Sequence, residues 1–309
     1  MASHLTGLVV CVVMLTSFCG CTLKNNSATT ADQKSPVDSA DPTTGSGGQE
    51  LIDVWDAAKV RDRAPILIAH RGGVVGPAIP ECSRLAVKTA ATYRYDMVEL
   101  DVQESQDHHP IVFHDRNMMR ACEIDKEIAD FTMEAITQIQ FLNSDETITS
   151  LDSMLDICCS LHLGVMFDIK QGERSDLYFK RILSLIDKYD LGRACMTLGD
   201  AQVREHLKGK VLITISDKIL DQIKQGESVD LHGYYWFGVP ETWPLELVKP
   251  VQENGALVIP APNTFRYSEV QHRSEARKDA ERLLKAGVDG FQIDCIYQDY
   301  FDRPKVQSN

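Results

Sequence analysis

The chain has no long hydrophobic run: its most apolar stretch, Leu8 to Leu15, falls well short of the roughly 20 residues a membrane-crossing helix needs. Positive charge is scarce. Thirty-two Lys and Arg face 45 Asp and Glu, a net charge of −13, which argues against nucleic acid or an anionic lipid surface as the main partner. The 9 cysteines include no Cys-x-x-Cys and no histidine at zinc-finger spacing. Three of them (Cys11, Cys19, Cys21) lie at the N-terminus, and the other six are scattered in a way that fixes no disulfide pairing. No internal repeat stands out.

What is present is a regular alternation. Short apolar runs near 66–69, 97–102, 164–169, 194–198, 211–215, 233–237, 256–260 and 290–294 read as strands. Amphipathic helical patterns lie between several of them, at Leu151 to Leu161, Ser83 to Tyr93, Leu177 to Tyr189 and Ser274 to Ala286. Eight strands with intervening helices are the requirement of a closed parallel (β/α)8 TIM barrel, an α/β fold that needs about 250 residues as one unit. With 43% hydrophobic residues, a core of that size can be filled.

The N-terminus stands apart. Residues 1–21 end in Ser17-Phe18-Cys19-Gly20-Cys21, a small residue before a cysteine straight after an apolar core. That pattern resembles a bacterial lipoprotein signal with Cys21 as the lipidated residue, although no Lys or Arg precedes the apolar run. The alternative is an uncleaved anchor helix. Residues 22–55 are mostly small and polar and read as a flexible tether, leaving 56–309 as one catalytic barrel. Either reading places the body in the cell envelope, periplasmic or extracellular, held to a membrane through a lipid or helical anchor.

Three motifs carry the chemistry. Ile68-Ala69-His70-Arg71-Gly72-Gly73 delivers a histidine and an arginine from a buried strand onto a tight turn. Val98-Glu99-Leu100-Asp101 sets two carboxylates two apart, hence on one strand face. Phe113-His114-Asp115 ends another apolar run with a second histidine. Singly, each has an ordinary explanation: a structural histidine, a solvated strand face, a turn. Together, at what read as successive strand ends of a barrel, they supply the parts for metal-assisted chemistry on a phosphate ester.

These motifs resemble the glycerophosphodiester phosphodiesterase family. The family's His-Arg-Gly, Pro-Glu-Asn, Glu-x-Asp, His-Asp and acid-x-Lys elements read here as His70-Arg71-Gly72, Pro80-Glu81-Cys82, Glu99-Leu100-Asp101, His114-Asp115 and Asp168-Ile169-Lys170. Its closing strand reads Gly287-Val288-Asp289-Gly290, leading into Phe291-Gln292-Ile293-Asp294. The match runs from about residue 64 to 298.

The resemblance implies hydrolysis of small glycerophosphodiesters, of the glycerophosphocholine or glycerophosphoethanolamine type, through a cyclic phosphate. Glu99, Asp101 and Asp168 would hold one divalent cation, Mg²⁺ or Ca²⁺. His70 and His114 would act as acid and base. Arg71 and Lys170 would bind phosphate, and Glu81 would support the substrate site by orienting a histidine or touching the metal. Asp115 would organise its loop. Gln292 and Asp294 would either meet the substrate or fill a barrel layer, and Tyr234, Tyr235 and Trp236 would either floor a pocket or join the core.

Two departures bear on substrate. Cys82 stands in place of the family's Asn. Asp168 stands where most members have Glu, as in the sphingomyelinase-D-like branch of the superfamily. Three rivals follow: phospholipase D-like or sphingomyelinase D-like attack on intact lipid that stops at a cyclic phosphate, an aldolase using Lys170 as a Schiff-base amine, and a non-catalytic phosphoester-binding surface protein.

Overall fold

The computed structural model describes residues 50–170, 172–240 and 244–303. The expected signal with Cys21, and the tether up to residue 49, lie outside the described residues. Ten strands follow one another: β1 (Ile66–Ala69), β2 (Met97–Glu104), β3 (Pro110–Val112), β4 (Thr149–Ser150), β5 (Gly164–Ile169), β6 (Cys195–Leu198), β7 (Leu212–Thr214), β8 (Tyr234–Gly238), β9 (Leu257–Pro260) and β10 (Gly290–Ile293). The helices are α1 (Ala57–Arg63), α2 (Arg84–Thr92), α3 (Met119–Cys122), α4 (Met133–Ile136), α5 (Leu151–Ser160), α6 (Asp176–Lys188), α7 (Ala201–Leu207), α8 (Asp217–Lys224), α9 (Val248–Glu253) and α10 (His272–Ala286).

Eight strands pair in parallel in the order β10-β1-β2-β5-β6-β7-β8-β9. The ring closes between β9 and β10, where the Asp289 N–H donates to the Val258 carbonyl at 3.0 Å. The Asp289 carboxylate secures that seam by accepting from the Val258 N–H at 2.7 Å and from Arg61 Nε at 2.9 Å. The expected TIM barrel is therefore the fold, and its eight strands fall at the eight apolar runs. Ile66, Leu67, Ile68 and Ala69 are all buried, because a barrel strand is covered on both faces and reads as a continuous apolar run. Side-chain caps from Ser83, Ser150, Ser175 and Asp200 start α2, α5, α6 and α7.

One expectation changes. The run ending at His114 is not a barrel strand: β3 pairs antiparallel with the outer end of β2, and β4 pairs with β3. Residues between β2 and α5 form an excursion with its own small core of Ile111, Phe113, Met118, Cys122, Ile128, Ile136, Phe141 and Ile148. A short apolar run looks the same in either kind of strand; only the pairing separates them.

The tether boundary also moves. Ile52 and Val54 are buried, Val54 N–H donates to the Arg193 carbonyl at 2.8 Å, and Trp55 Nε1 donates to the Gly192 carbonyl at 3.0 Å. Packing thus begins before residue 55, because two apolar side chains sit within a segment whose average composition is polar. Among the described residues no helix is long and apolar enough to cross a membrane.

Candidate active site

Strand register assembles the carboxylates. Asp101 of β2 lies opposite Asp168 of β5, and Glu99 lies opposite Met166 two residues lower on the same face. Ligand oxygens of Glu99, Asp101 and Asp168 fall within 4.8 Å of one another. Glu99 and Asp101 are buried, each 1% exposed, while Asp168 reaches the mouth. The Lys170 ammonium bridges Asp101 and Asp168, at 2.6 Å from Asp168 Oδ2.

Burial and the charges of Asp101 and Asp168 push the Glu99 carboxyl well above its ordinary range. Burial also works against ionised Asp101, but Lys170, His114 and the Cys82 thiol hold its carboxyl below the usual value. One lysine leaves three clustered carboxylates short of positive charge. Glu99 Oε1 is buried with no hydrogen-bond partner. An all-oxygen donor set with an orphaned buried oxygen fits a hard divalent cation.

The turn after β1 aims the phosphate-binding groups. Arg71 sits in the left-handed region at φ 54°, which directs its N–H onto Glu99 Oε2 at 2.7 Å. The two glycines that follow are required by space. A Cβ on Gly72 would lie 2.7 Å from Cys82 Cα, and one on Gly73 would lie 2.3 Å from the Ala86 carbonyl oxygen. Arg71 Nη1 donates to Glu81 Oε2 at 3.0 Å, and its buried Nε has no partner in the protein.

Each histidine is backed by a carboxylate. His70 Nδ1 meets Asp294 Oδ1 at 2.7 Å, and His114 Nδ1 meets Asp115 Oδ1 at 2.7 Å. Burial disfavours the Asp294 carboxylate, but His70 and the Thr264 N–H and hydroxyl outweigh it and hold the group at about 2. Burial opposes ionised Asp115 as well, and Arg120 and His114 reverse the sign. Ionised partners place the proton on Nδ1 of each ring, so Nε2 is the nitrogen left to exchange protons with a bound molecule. His114, Asp168, Lys170, Gln103, Arg116 and Asp200 line a cavity of about 580 Å³.

A family profile described as the glycerophosphoryl diester phosphodiesterase family matches residues 70–188, the span holding both histidines, the three carboxylates and Lys170. Over residues 70–188 the chain carries a domain of this family. It is 27% identical over 74% of its length, and 93% of the relative's, to the glycerophosphodiester phosphodiesterase of Caldanaerobacter subterraneus subsp. tengcongensis. It is 32% identical to the human glycerophosphodiester phosphodiesterase 1, over 36% of this chain and 35% of that protein. A glycerophosphoryl diester phosphodiesterase structure from Parabacteroides distasonis shares the fold with TM-score 0.61 and 18% identity, covering 79% of this chain and 89% of that one. An Oleispira antarctica phosphodiesterase, solved with the product sn-glycerol-3-phosphate, superposes with TM-score 0.59 and 17% identity over 78% of this chain and 97% of its own.

The structure places the residues whose roles the sequence left open. Glu81 is outside the carboxylate trio. It accepts from Arg71 and Arg120, and its nearest approach to a histidine is 3.8 Å from His114 Nδ1. A second grouping of Glu81, His114 and Asp115 has ligand-like spacing, but the Arg120 guanidinium already bonds both carboxylates. Gln292 is a barrel-layer group: it accepts from Asn263 Nδ2 at 2.9 Å and faces Met166. Tyr235 belongs to the core and donates its hydroxyl to the Thr197 carbonyl at 2.9 Å. Asp294 and Asp115, both given lesser roles by the sequence, are the groups that orient the histidines. Adjacency to His114 and the shared face with Gln292 were the only signals for them.

Cys82 occupies the family's Asn position with φ 58°, fully buried, its thiol donating to Asp101 Oδ2 at 3.2 Å. Burial and the charges of Asp101, Glu99 and Glu81 push its thiol well up. Cys82 is therefore expected to resist iodoacetamide at pH 8 in the native protein and to react once unfolded. Peptide mass spectrometry of the alkylated protein reads this directly, and native labelling of Cys82 would show the thiol to be accessible.

Proposed function

We propose that this chain hydrolyses glycerophosphodiesters of the glycerophosphocholine or glycerophosphoethanolamine type to glycerol 3-phosphate and an alcohol, by histidine acid/base catalysis through a cyclic phosphate. The observation that carries this reading is the pair of carboxylate-backed histidines at the mouth that also holds the buried trio of Glu99, Asp101 and Asp168. The family domain over residues 70–188 and the glycerophosphodiester phosphodiesterase relatives support a phosphoric diester hydrolase, and the glycerol 3-phosphate bound to the Oleispira antarctica enzyme supports the product.

Glu99, Asp101 and Asp168 would hold one Mg²⁺ or Ca²⁺, which when bound supplies positive charge against the phosphate oxygens. Arg71 forks onto phosphate through its Nε and remaining Nη, and Lys170 adds a point charge at the mouth. One histidine takes the proton of the substrate hydroxyl next to the phosphate as that oxygen attacks phosphorus. The other protonates the departing alcohol oxygen. Reversed roles then let water open the cyclic phosphate, and both histidines return to their starting state.

The aldolase alternative needs a neutral lysine. Burial alone would favour that form, but Asp101 and Asp168 hold Lys170 charged, above its ordinary range. The complete set of acid/base and binding side chains disfavours a purely binding role. An envelope location with Cys21 lipidated belongs to the same proposal and rests on the sequence of residues 1–55.

The test is product analysis on glycerophosphocholine with the full chain, with EDTA and then with Mg²⁺ or Ca²⁺ restored, in membrane and soluble fractions of cells making the chain or its Cys21→Ser variant. Metal-restored glycerol 3-phosphate, moving from membrane to soluble fraction in the variant, is the expected result. A stable cyclic product from lysolipid, with no turnover of glycerophosphocholine, would overturn the substrate assignment.

A further inference from the structure

The excursion that carries His114 and the turn that carries Arg71 belong to separate cores, and one arginine links the carboxylates beside these two groups. Arg120, on the single-turn helix α3, donates through Nε to Asp115 Oδ2 at 2.5 Å and through Nη2 to Glu81 Oε1. Asp115 Oδ1 holds His114 Nδ1, and Glu81 Oε2 accepts from Arg71 Nη1. The result is a chain of alternating groups, His114–Asp115–Arg120–Glu81–Arg71, with the guanidinium at its middle. We propose that Arg120 is a positioning residue that sets His114 and Arg71 in register with each other. It acts through Asp115 and Glu81 and touches no substrate. This inference rests on the reading of His114 as a proton-transfer group.

Three observations separate this from an ordinary surface ion pair, which contributes little. Its partners are sheltered: the Glu81 and Asp115 side chains are 15% and 20% exposed, whereas Arg120 itself is 57% exposed. The two carboxylates are met by different nitrogens of one planar fork, a geometry a lysine cannot reproduce. The backbone around His114 is fixed by another residue, because Gln103 Nε2 donates to the Phe113 carbonyl at 2.7 Å and the Asp115 carbonyl at 2.8 Å. Loss of Arg120 therefore frees the carboxylates while the turn keeps its path. With Arg120 gone, Asp115 keeps its hydrogen bond to His114 and Glu81 keeps its bond to Arg71, and only the longer 3.8 Å approach of Glu81 to His114 Nδ1 still links the two pairs directly.

The experiment measures kcat and KM of the full chain on glycerophosphocholine for wild type, Arg120→Met, Arg120→Lys, Asp115→Asn and the Arg120→Met/Asp115→Asn double variant, with melting temperatures and a His114→Ala control. Arg120→Met is expected to lose about 10- to 100-fold in kcat, the range typical of groups that orient a functional side chain. Arg120→Lys, with charge but no fork, is expected to recover only part of it. The double variant is expected to be no worse than about the poorer single one, because both cut the same connection. Wild-type kcat in Arg120→Met, full recovery by lysine, or losses that multiply in the double variant would each overturn the inference. If Arg120→Met does not fold, Arg120→Lys and Asp115→Asn decide the matter by the same kcat criterion. An active His114→Ala variant would sink the acid/base reading itself, whereas an inactive one beside a fully active Arg120→Met removes only the positioning role.

Discussion

His70→Ala is expected to reduce turnover of glycerophosphocholine by roughly 10²- to 10⁴-fold, the usual contribution of one acid/base group, with KM changed far less. The ring lies at the end of β1, 11% exposed, with Nδ1 fixed on Asp294. The Phe265 ring lies beside it, with centroids 6.0 Å apart. Asp294→Asn keeps the size of the partner and removes its charge, so the loss in kcat is expected to be smaller, about 10- to 100-fold.

The same variant carries a stability signature with a defined sign. The Asp294 carboxyl lies at about 2 in the folded protein against 3.8 for the free group. A depressed carboxylate stabilises the fold above its unfolded value and loses that contribution as pH falls through the folded value, here between about pH 4 and pH 2. At 1.36 kcal/mol per unit, the contribution at neutral pH is about 2 kcal/mol. Urea unfolding should show Asp294→Asn less stable than wild type at pH 7, with the gap closing as pH approaches 2. A gap independent of pH would mean that packing, not charge, links Asp294 to His70.

Removal of divalent cations is expected to abolish activity, and their return to raise the melting temperature by several degrees. A ligand at a hundredfold excess over its Kd stabilises by about 2.7 kcal/mol when it binds only the folded state. The cause is local: Glu99, Asp101 and Asp168 crowd their charges together, and Lys170 bonds only the latter two. Because burial and its acidic neighbours raise the Glu99 carboxyl, a cation must displace its proton over part of the pH range. Metal affinity is thus expected to increase with pH until Glu99 is fully ionised, and Glu99→Gln is expected to weaken both the affinity and its pH dependence. Thermal scans with Mg²⁺ and with Ca²⁺ at several pH values supply the measurement. No shift in melting temperature with any divalent cation would refute the metal assignment.

Much of the barrel was legible before any coordinates. Parallel strands covered on both faces are mostly apolar, so β1, β5, β6 and β9 announced themselves as short runs, and the period-two spacing of Glu99 and Asp101 placed both carboxylates on one face. The Asp168 and Lys170 pair followed by the same rule. The antiparallel nature of β3 was not legible, because pairing partners are distant choices and a three-residue apolar run carries no direction. Nor were Arg120, Asp294 and Glu81 legible in their roles. A charged residue outside a periodic element gives no sign of which oppositely charged group it will meet.

The sequence by itself determined the α/β barrel and the resemblance to the family, and it singled out the two histidines and the three carboxylates as candidates, because strand period and motif order are local properties. Only the tertiary structure decided which carboxylate backs which histidine, that Glu81 grips two arginines, and that His114 arrives from an excursion with its own core. Those pairings join residues as far apart as His70 and Asp294, brought together when β10 closes on β1, and ring closure is a property of the whole chain.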